Sequence, residues 1–132
     1  MQLSDITNNA TDQDKGRELE LVDPFTGKST GIKFWIVGPD SDTAQKARLS
    51  LSDELADLAD ASGLVSAENR DKARLNSLAR HVIRWAVEED GKPVPFNTKN
   101  LLTLLRVNWV QQEVDAFAGG RRNFAPEAIG GQ

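Results

Sequence analysis

Side chains suited to chemistry are few in this chain and widely spaced. Its 132 residues include no cysteine and a single histidine, His81. A nucleophilic triad needs a histidine held between two partners, and a zinc site needs several histidine or thiolate ligands. His81 would have to serve alone in either, and we expect it on a polar helix face with no special role. The sequence therefore predicts a protein that is not an enzyme and that carries no metal or other cofactor.

Three aspartates at helical spacing are the nearest approach to a cation site. Asp53, Asp57 and Asp60 fall on one side of a predicted helix. Calcium is bound by loops that direct many oxygens at one point, and this spacing provides no such loop. A solvated acidic face is therefore favoured. The glycines and arginines of 119–122 follow a helix end, whereas an anion site needs a helix start, so they indicate a stop signal.

The charged residues are unevenly distributed. Residues 1–66 hold 12 acidic and 6 basic side chains, a net charge of −6, whereas residues 67–132 hold 8 and 10, a net charge of +2. The total of −4 argues against sequence-independent binding of nucleic acid. Arg74, Arg80 and Arg84 share one face of a predicted helix, which either meets an acidic partner or is solvated. The solvated face is favoured, and a small helical DNA-binding regulator stays as an alternative.

The composition and the first residues bear on localisation. The chain is 39% hydrophobic and 27% charged, and it contains no apolar run of the roughly 18 residues that a membrane helix needs. The N-terminus lacks the basic and apolar regions of a secretory signal. We expect a protein that does not bind membranes and that is made in the cytoplasm.

The first elements predicted are strands. Residues 1–16 have almost no apolar spacing, which predicts a disordered tail. Polar and apolar residues alternate around Leu19 and again from Ile32 to Val37, with a loop containing proline and glycine between them. An antiparallel β-hairpin over residues 17–37 follows, and its face of Ile32, Phe34 and Ile36 must lie on helices.

Three helices are predicted after the hairpin, at residues 41–61, 66–89 and 98–118. Asp40 or Ser41, then Ser66 and Asn97, are the expected caps. The fold class is thus mainly α (α+β), with three helices and an N-terminal hairpin in a single domain spanning residues 17–118. Residues 119–132 are glycine-rich and predict a flexible C-terminal tail.

The last predicted helix is apolar on two sides. Its first stripe consists of Leu101, Leu102, Leu105, Trp109 and Ala116, and its second of Val107, Val110, Val114, Phe117 and Ala118. Two such stripes on one straight helix cannot face the same neighbour. Either the hairpin covers the second stripe or that stripe is an interface, because exposed apolar patches usually mark interfaces.

The stretch from residue 85 to residue 124 resembles the tail assembly chaperones of long-tailed bacteriophages and prophages. The shared features are a helix ending near a Trp, a Gly-x-Pro-Val-Pro-Phe turn, an Asn and a Leu-Leu pair, a second Trp, and an Asn-Phe end. In this chain they include Trp85, Gly91, residues 93–96, Asn100, Trp109, Asn123 and Phe124. The N-terminal Pro-Phe turn and the strand leading into Gly-Pro-Asp-Ser are also similar, so the resemblance covers residues 17–124. Val107 and Asn108 depart from it, standing where a Tyr-Pro-like step is expected.

The resemblance implies a non-enzymatic role in the host cytoplasm. Such a chaperone holds the long helical tape-measure protein in solution and recruits tail-tube subunits, and it is not expected in the mature virion. A homo-oligomer is compatible with this role. An apolar groove for a helix is the expected mode of recognition, and the predicted partner-binding residues are Trp85, Phe96, Leu105, Trp109, Val114 and Phe117. The alternative from the same class is a structural protein of the tail or of the head-tail joint.

Overall fold

The computed structural model describes residues 1–126, and they form helices and short antiparallel strands. In chain order the helices and strands are α1 (Leu3–Gln13), β1 (Arg17–Val22), β2 (Ser29–Ile36), α2 (Asp42–Leu58), α3 (Ala67–Arg80), β3 (Val82–Ala86), β4 (Glu88–Glu89), β5 (Lys92–Pro93), α4 (Thr98–Leu105) and α5 (Asn108–Gly119). A 3₁₀ turn, Arg121–Phe124, follows α5. No helix within these residues is both long enough and apolar enough to cross a membrane.

A three-stranded antiparallel sheet in the order β1-β2-β3 is the centre of the fold. The predicted pairing of β1 with β2 is confirmed, with Leu19 opposite Phe34. Phe34 and Ile36 are fully buried, and Ile32 packs against the same core. Helices α3, α4 and α5 supply the apolar cover that these side chains require, so one face of the sheet is covered by helices.

The helix starts are where the sequence indicates. The side chains of Ser41, Ser66 and Asn97 each accept a hydrogen bond from the backbone N–H three residues later, which confirms them as caps of α2, α3 and α4. Helix α2 ends at Leu58, a few residues before the predicted end at 61. It packs on α3, and the two helices form the connection between β2 and β3.

The predicted fold class of three helices with an N-terminal hairpin is wrong. The predicted helix 66–89 stops at Arg80, and the residues from Val82 onward form β3 and then β4. Val82 lies opposite Ile36, and Trp85 lies opposite Phe34. The β-branched and aromatic residues of this stretch suit a strand, and pairing with the otherwise open edge of β2 outweighs the helical spacing of the leucines before them. The hairpin is therefore part of a three-stranded sheet in which β2 is the central strand, and not an N-terminal appendage.

The tail predicted for residues 1–16 is instead mostly helix. Helix α1 ends in Gln13, which is buried, and Gly38 makes room for it, because a side chain at Gly38 would overlap the Gln13 amide. The tail predicted for residues 119–132 is also wrong in its first part, since the 3₁₀ turn places Phe124 in the core. Residues 127–132 lie outside the described part of the chain.

The predicted helix 98–118 is two helices, α4 and α5, separated at Arg106 and Val107. The change of direction lets residues of both apolar stripes face one core: Leu101 and Leu105 on α4, and Val110 and Val114 on α5. The expectation that the two stripes cannot share a neighbour is wrong for this reason.

The break between α4 and α5 makes a prediction about proline. Asn108 is the first residue of α5, where a missing N–H costs nothing, and Val107 is extended with φ −75° and ψ 118°, as a residue before proline must be. Asn108→Pro is expected to leave the free energy of unfolding unchanged or to raise it by about 0.4–1 kcal/mol. Thr103→Pro, in the interior of α4, is expected to lower the free energy of unfolding by about 3 kcal/mol or more. Urea denaturation compares the two, and equal losses would mean that one helix runs through the break.

Candidate partner-binding surface

Trp85 is the link between the core and the surface near the end of β3. Its indole ring stacks on buried Phe34 with 6.0 Å between ring centroids and an angle of 22°. Its Nε1 donates a hydrogen bond of 2.9 Å to the carbonyl of Val94. The Val94 N–H in turn donates to the Val87 carbonyl at 2.8 Å. The chain after β5 is therefore fixed across the edge of the indole ring.

The turn that brings this segment back is built by Asp90 and Gly91. Both have positive φ, 53° and 75°, between the two-residue strands β4 and β5. This is the geometry of a tight hairpin turn, for which Asp-Gly is a favoured sequence. The hairpin reverses the chain, so that the proline-framed residues after it run back past Trp85.

Phe96 lies at the end of this segment and is 41% exposed. Its ring meets the Trp85 ring edge-on, with 5.5 Å between centroids and an angle of 68°. The Asn100 side chain donates a hydrogen bond of 3.0 Å to the carbonyl of Pro95, which ties the segment to α4. We call the surface formed by Trp85, Val94, Pro95 and Phe96 the aromatic ledge.

An open cleft lies on each side of the aromatic ledge. The first, of about 620 Å³, lies between Trp85 and Val94 and the early part of β2 near Ile32. The second, of about 540 Å³, lies between Phe96, Leu101 of α4 and the polar side chain of Arg80 on α3. The ledge thus borders two open grooves, whose linings combine apolar side chains with polar ones such as Lys33, Glu88 and Arg80.

The six predicted partner-binding residues divide into two groups. Trp85 and Phe96 contact each other on the ledge. Leu105 and Val114 are fully buried, so their assignment as contact residues is wrong: they hold α4 and α5 to the sheet. The remaining two, Trp109 and Phe117, are half-buried and pack against the same core.

Sequence reasoning missed the two grooves and the role of Val94. The grooves are formed by residues far apart in the chain, and spacing along the sequence does not show them. The alternation of Pro93 and Pro95 does indicate an extended segment, and Phe96 follows it directly.

The predicted arginine face does not form. Arg84 lies on β3, with its guanidinium over the Trp35 ring at 4.9 Å, whereas Arg74 and Arg80 lie on α3. Arg74 pairs with Asp71 at 3.0 Å, and Arg80 lies 3.7 Å from Glu54. These arginines therefore do not present the single basic helix that a DNA-binding regulator would use. Within residues 1–126, no three histidine, aspartate or glutamate side chains are grouped so that they could hold a metal ion.

The chain was also compared with known proteins. No protein-family model, no curated protein and no solved structure matches it.

Proposed function

We propose that this protein is a phage tail assembly chaperone that binds the tape-measure protein and helps recruit tail-tube subunits. The observation that carries the proposal is the aromatic ledge, in which Phe96 is exposed on a support fixed by Trp85. The ledge lies within the stretch that resembles these chaperones. Aromatic residues on a rigid support are the usual energetic centres of protein interfaces.

The ledge and its grooves favour a helical partner. An amphipathic helix recognised in a groove presents apolar residues one turn apart, and two grooves beside a central ridge accept such a row. The tape-measure protein, as the long helical partner of these chaperones, has this chemistry. By this proposal the central contact is apolar.

Phe96→Ala is expected to weaken binding of a tape-measure fragment by about 30-fold or more, which corresponds to about 2 kcal/mol for a central interface residue. The measurement is titration calorimetry of the purified chain with the fragment. Phe25→Ala is the matched control, because Phe25 is 89% exposed in the loop between β1 and β2 and lines neither groove. It should leave binding unchanged.

Three outcomes distinguish the alternatives. Equal loss of binding in Phe96→Ala and Phe25→Ala would mean that the ledge is not the specific site. No binding of the fragment by the wild-type chain would refute the tape-measure proposal. Detection of the chain in purified virions, in amounts comparable with the tail-tube protein, would favour a structural protein of the tail, because a chaperone leaves the finished particle.

A further inference from the structure

The residues after α5 form a short segment that is attached to the rest of the fold by a single apolar anchor. We call residues 120–125 the strap. Phe124 is fully buried, and its ring meets the Phe117 ring edge-on with 5.4 Å between centroids. The neighbouring arginines, Arg121 and Arg122, are exposed. One ring therefore provides the apolar contact of the strap, and the other contacts are polar.

The polar contacts of the strap join it to residues near the other end of the chain. The Arg121 guanidinium donates two hydrogen bonds of 2.9 Å to the two carboxylate oxygens of Asp40, on the turn before α2. The Asn9 side chain of α1 donates to the Phe124 carbonyl at 2.9 Å. Arg17, at the start of β1, donates to the Ala125 carbonyl at 3.0 Å. We call Asn9, Arg17, Asp40 and the apolar hole around Phe124 the seat.

Two residues of the seat are also held by a side chain outside the strap. The Gln13 side chain donates to Asp40 at 3.1 Å and to Asn9 at 2.9 Å, so it orients both. Hydrogen bonds from Arg121 first, and from Gln13 second, hold the pKa of Asp40 below its ordinary value. At neutral pH the seat thus presents a carboxylate, a side-chain amide, a guanidinium and an apolar hole at fixed positions.

A pair of glycines connects the strap to α5. A side chain added at Gly119 would meet nothing within 4 Å beyond its chain neighbours and its own helix, whereas one at Gly120 would lie 2.6 Å from the Asn123 amide nitrogen, so the free space is at Gly119. The local bonds across the pair are those from the Gly120 N–H and the Asn123 side chain to the Phe117 carbonyl, at 3.2 and 3.0 Å. Water can replace both bonds at an exposed helix end. The link can therefore act as a hinge.

We infer that the seat is a binding site for the strap of a second copy of this chain, and that two copies exchange their straps. The seat binds a segment that contains a guanidinium and, three residues later, an aromatic residue. The backbone carbonyl of that aromatic residue accepts a hydrogen bond. Residues 121–124 of each copy have this chemistry, so every copy carries both halves of the contact. Exchange of an identical segment across a hinge repeats existing contacts in trans and needs no new surface.

The protein concentration at which exchange competes with binding of the strap to its own seat can be estimated. A segment on a short link has an effective concentration of about 1 mM for its own seat. Separate copies at micromolar concentration therefore keep their own straps. Exchange becomes favourable where copies are held side by side or where the intramolecular contact is weakened. This inference does not rest on the proposed function.

Charge-swapped variants of the full chain test the exchange. Asp40→Arg opposes its own Arg121, and Arg121→Asp opposes its own Asp40, but a mixture of the two restores an ion pair in each exchanged contact. If each restored pair is worth about fivefold, the upper end for an exposed pair, two pairs lower the dissociation constant of the mixed dimer from about 1 mM to about 40 µM. Light scattering at about 100 µM total protein should then show dimers in the mixture. Each variant alone, and the double variant, should stay monomeric.

Cysteine trapping tests the same contact with the Asp40 ion pair intact. The chain has no cysteine, so Asn9→Cys on one copy and Ala125→Cys on another place one thiol on each half of the contact. Under mild oxidation of an equimolar mixture, the heterodimer should form at least tenfold faster than either homodimer. A charge-swapped mixture that stays monomeric, or a heterodimer that forms no faster than the homodimers, would overturn the exchange.

Discussion

Leu105→Ala is expected to lower the free energy of unfolding by about 2–5 kcal/mol, the range for a leucine removed from a packed core. Leu105 is fully buried at the end of α4 and belongs to the central cluster of the core. Its neighbours in that cluster include Leu101 on the same helix and Val110 on α5. Because this is the junction between two short helices, the lost contacts loosen both from the sheet. Urea denaturation followed by circular dichroism measures the loss.

Thr103→Ala is the control for Leu105→Ala on the same helix. Thr103 is exposed, and its hydroxyl bonds only to the Lys99 carbonyl one turn earlier. Its replacement should change stability by no more than about 0.5 kcal/mol. The folded fraction of Leu105→Ala should still bind a tape-measure fragment with the wild-type affinity. A stable Leu105→Ala variant that had lost binding would return this residue to the interface.

Elements specified by local chemistry could be predicted from the sequence. The caps at Ser41, Ser66 and Asn97 depend on one side chain and the next three residues, so a short window is sufficient. The pairing of β1 with β2 follows from alternation on both sides of a loop. These features need no knowledge of the rest of the fold.

Elements specified by distant partners were missed. Helix α1 is attached through Gln13, a buried polar residue whose partners, Asn9 and Asp40, satisfy its amide. A hydropathy pattern counts such a residue as solvent-exposed. Strand β3 was missed for a related reason: Val82 continues the apolar spacing of α3, and only the free edge of β2 decides in favour of a strand.

The candidate site was predicted in part, and one error accounts for its wrong residues. Trp85 and Phe96 were predicted to lie at the two ends of the proline-framed turn, and their rings do contact each other. Leu105 and Val114 were assigned to an interface because α4 and α5 were treated as one straight helix. Once the chain bends at Val107, the surplus apolar surface is buried. Of the large apolar side chains in the stretch that the resemblance singled out, Phe96 of the ledge and Val107 stay exposed.

Phe124→Ala is expected to lower the free energy of unfolding by about 3–5 kcal/mol, as for other buried phenylalanines. It should also release residues 120–125, the strap. Phe124 is the only strap side chain that is fully buried among the described residues. Without its ring, the Phe124 and Ala125 carbonyls lose their fixed positions beside Asn9 and Arg17. The polar contacts that remain are exposed ones, and exposed ion pairs contribute little. The loss should therefore appear both in global stability and in local opening of α1.

Limited trypsin digestion separates local opening from global unfolding in Phe124→Ala. Trypsin cleaves after arginine only where several residues can become extended, and Arg121 and Arg122 are adjacent within the strap. Cleavage there should be at least tenfold faster than in the wild type, and it should precede any cleavage after Arg74 in α3, which requires global unfolding. Phe25→Ala, with its ring already exposed, should show neither effect. Cleavage after Arg74 as early as cleavage in the strap would mean that the strap and the core open together, so that Phe124 belongs to the same cooperative unit as the sheet.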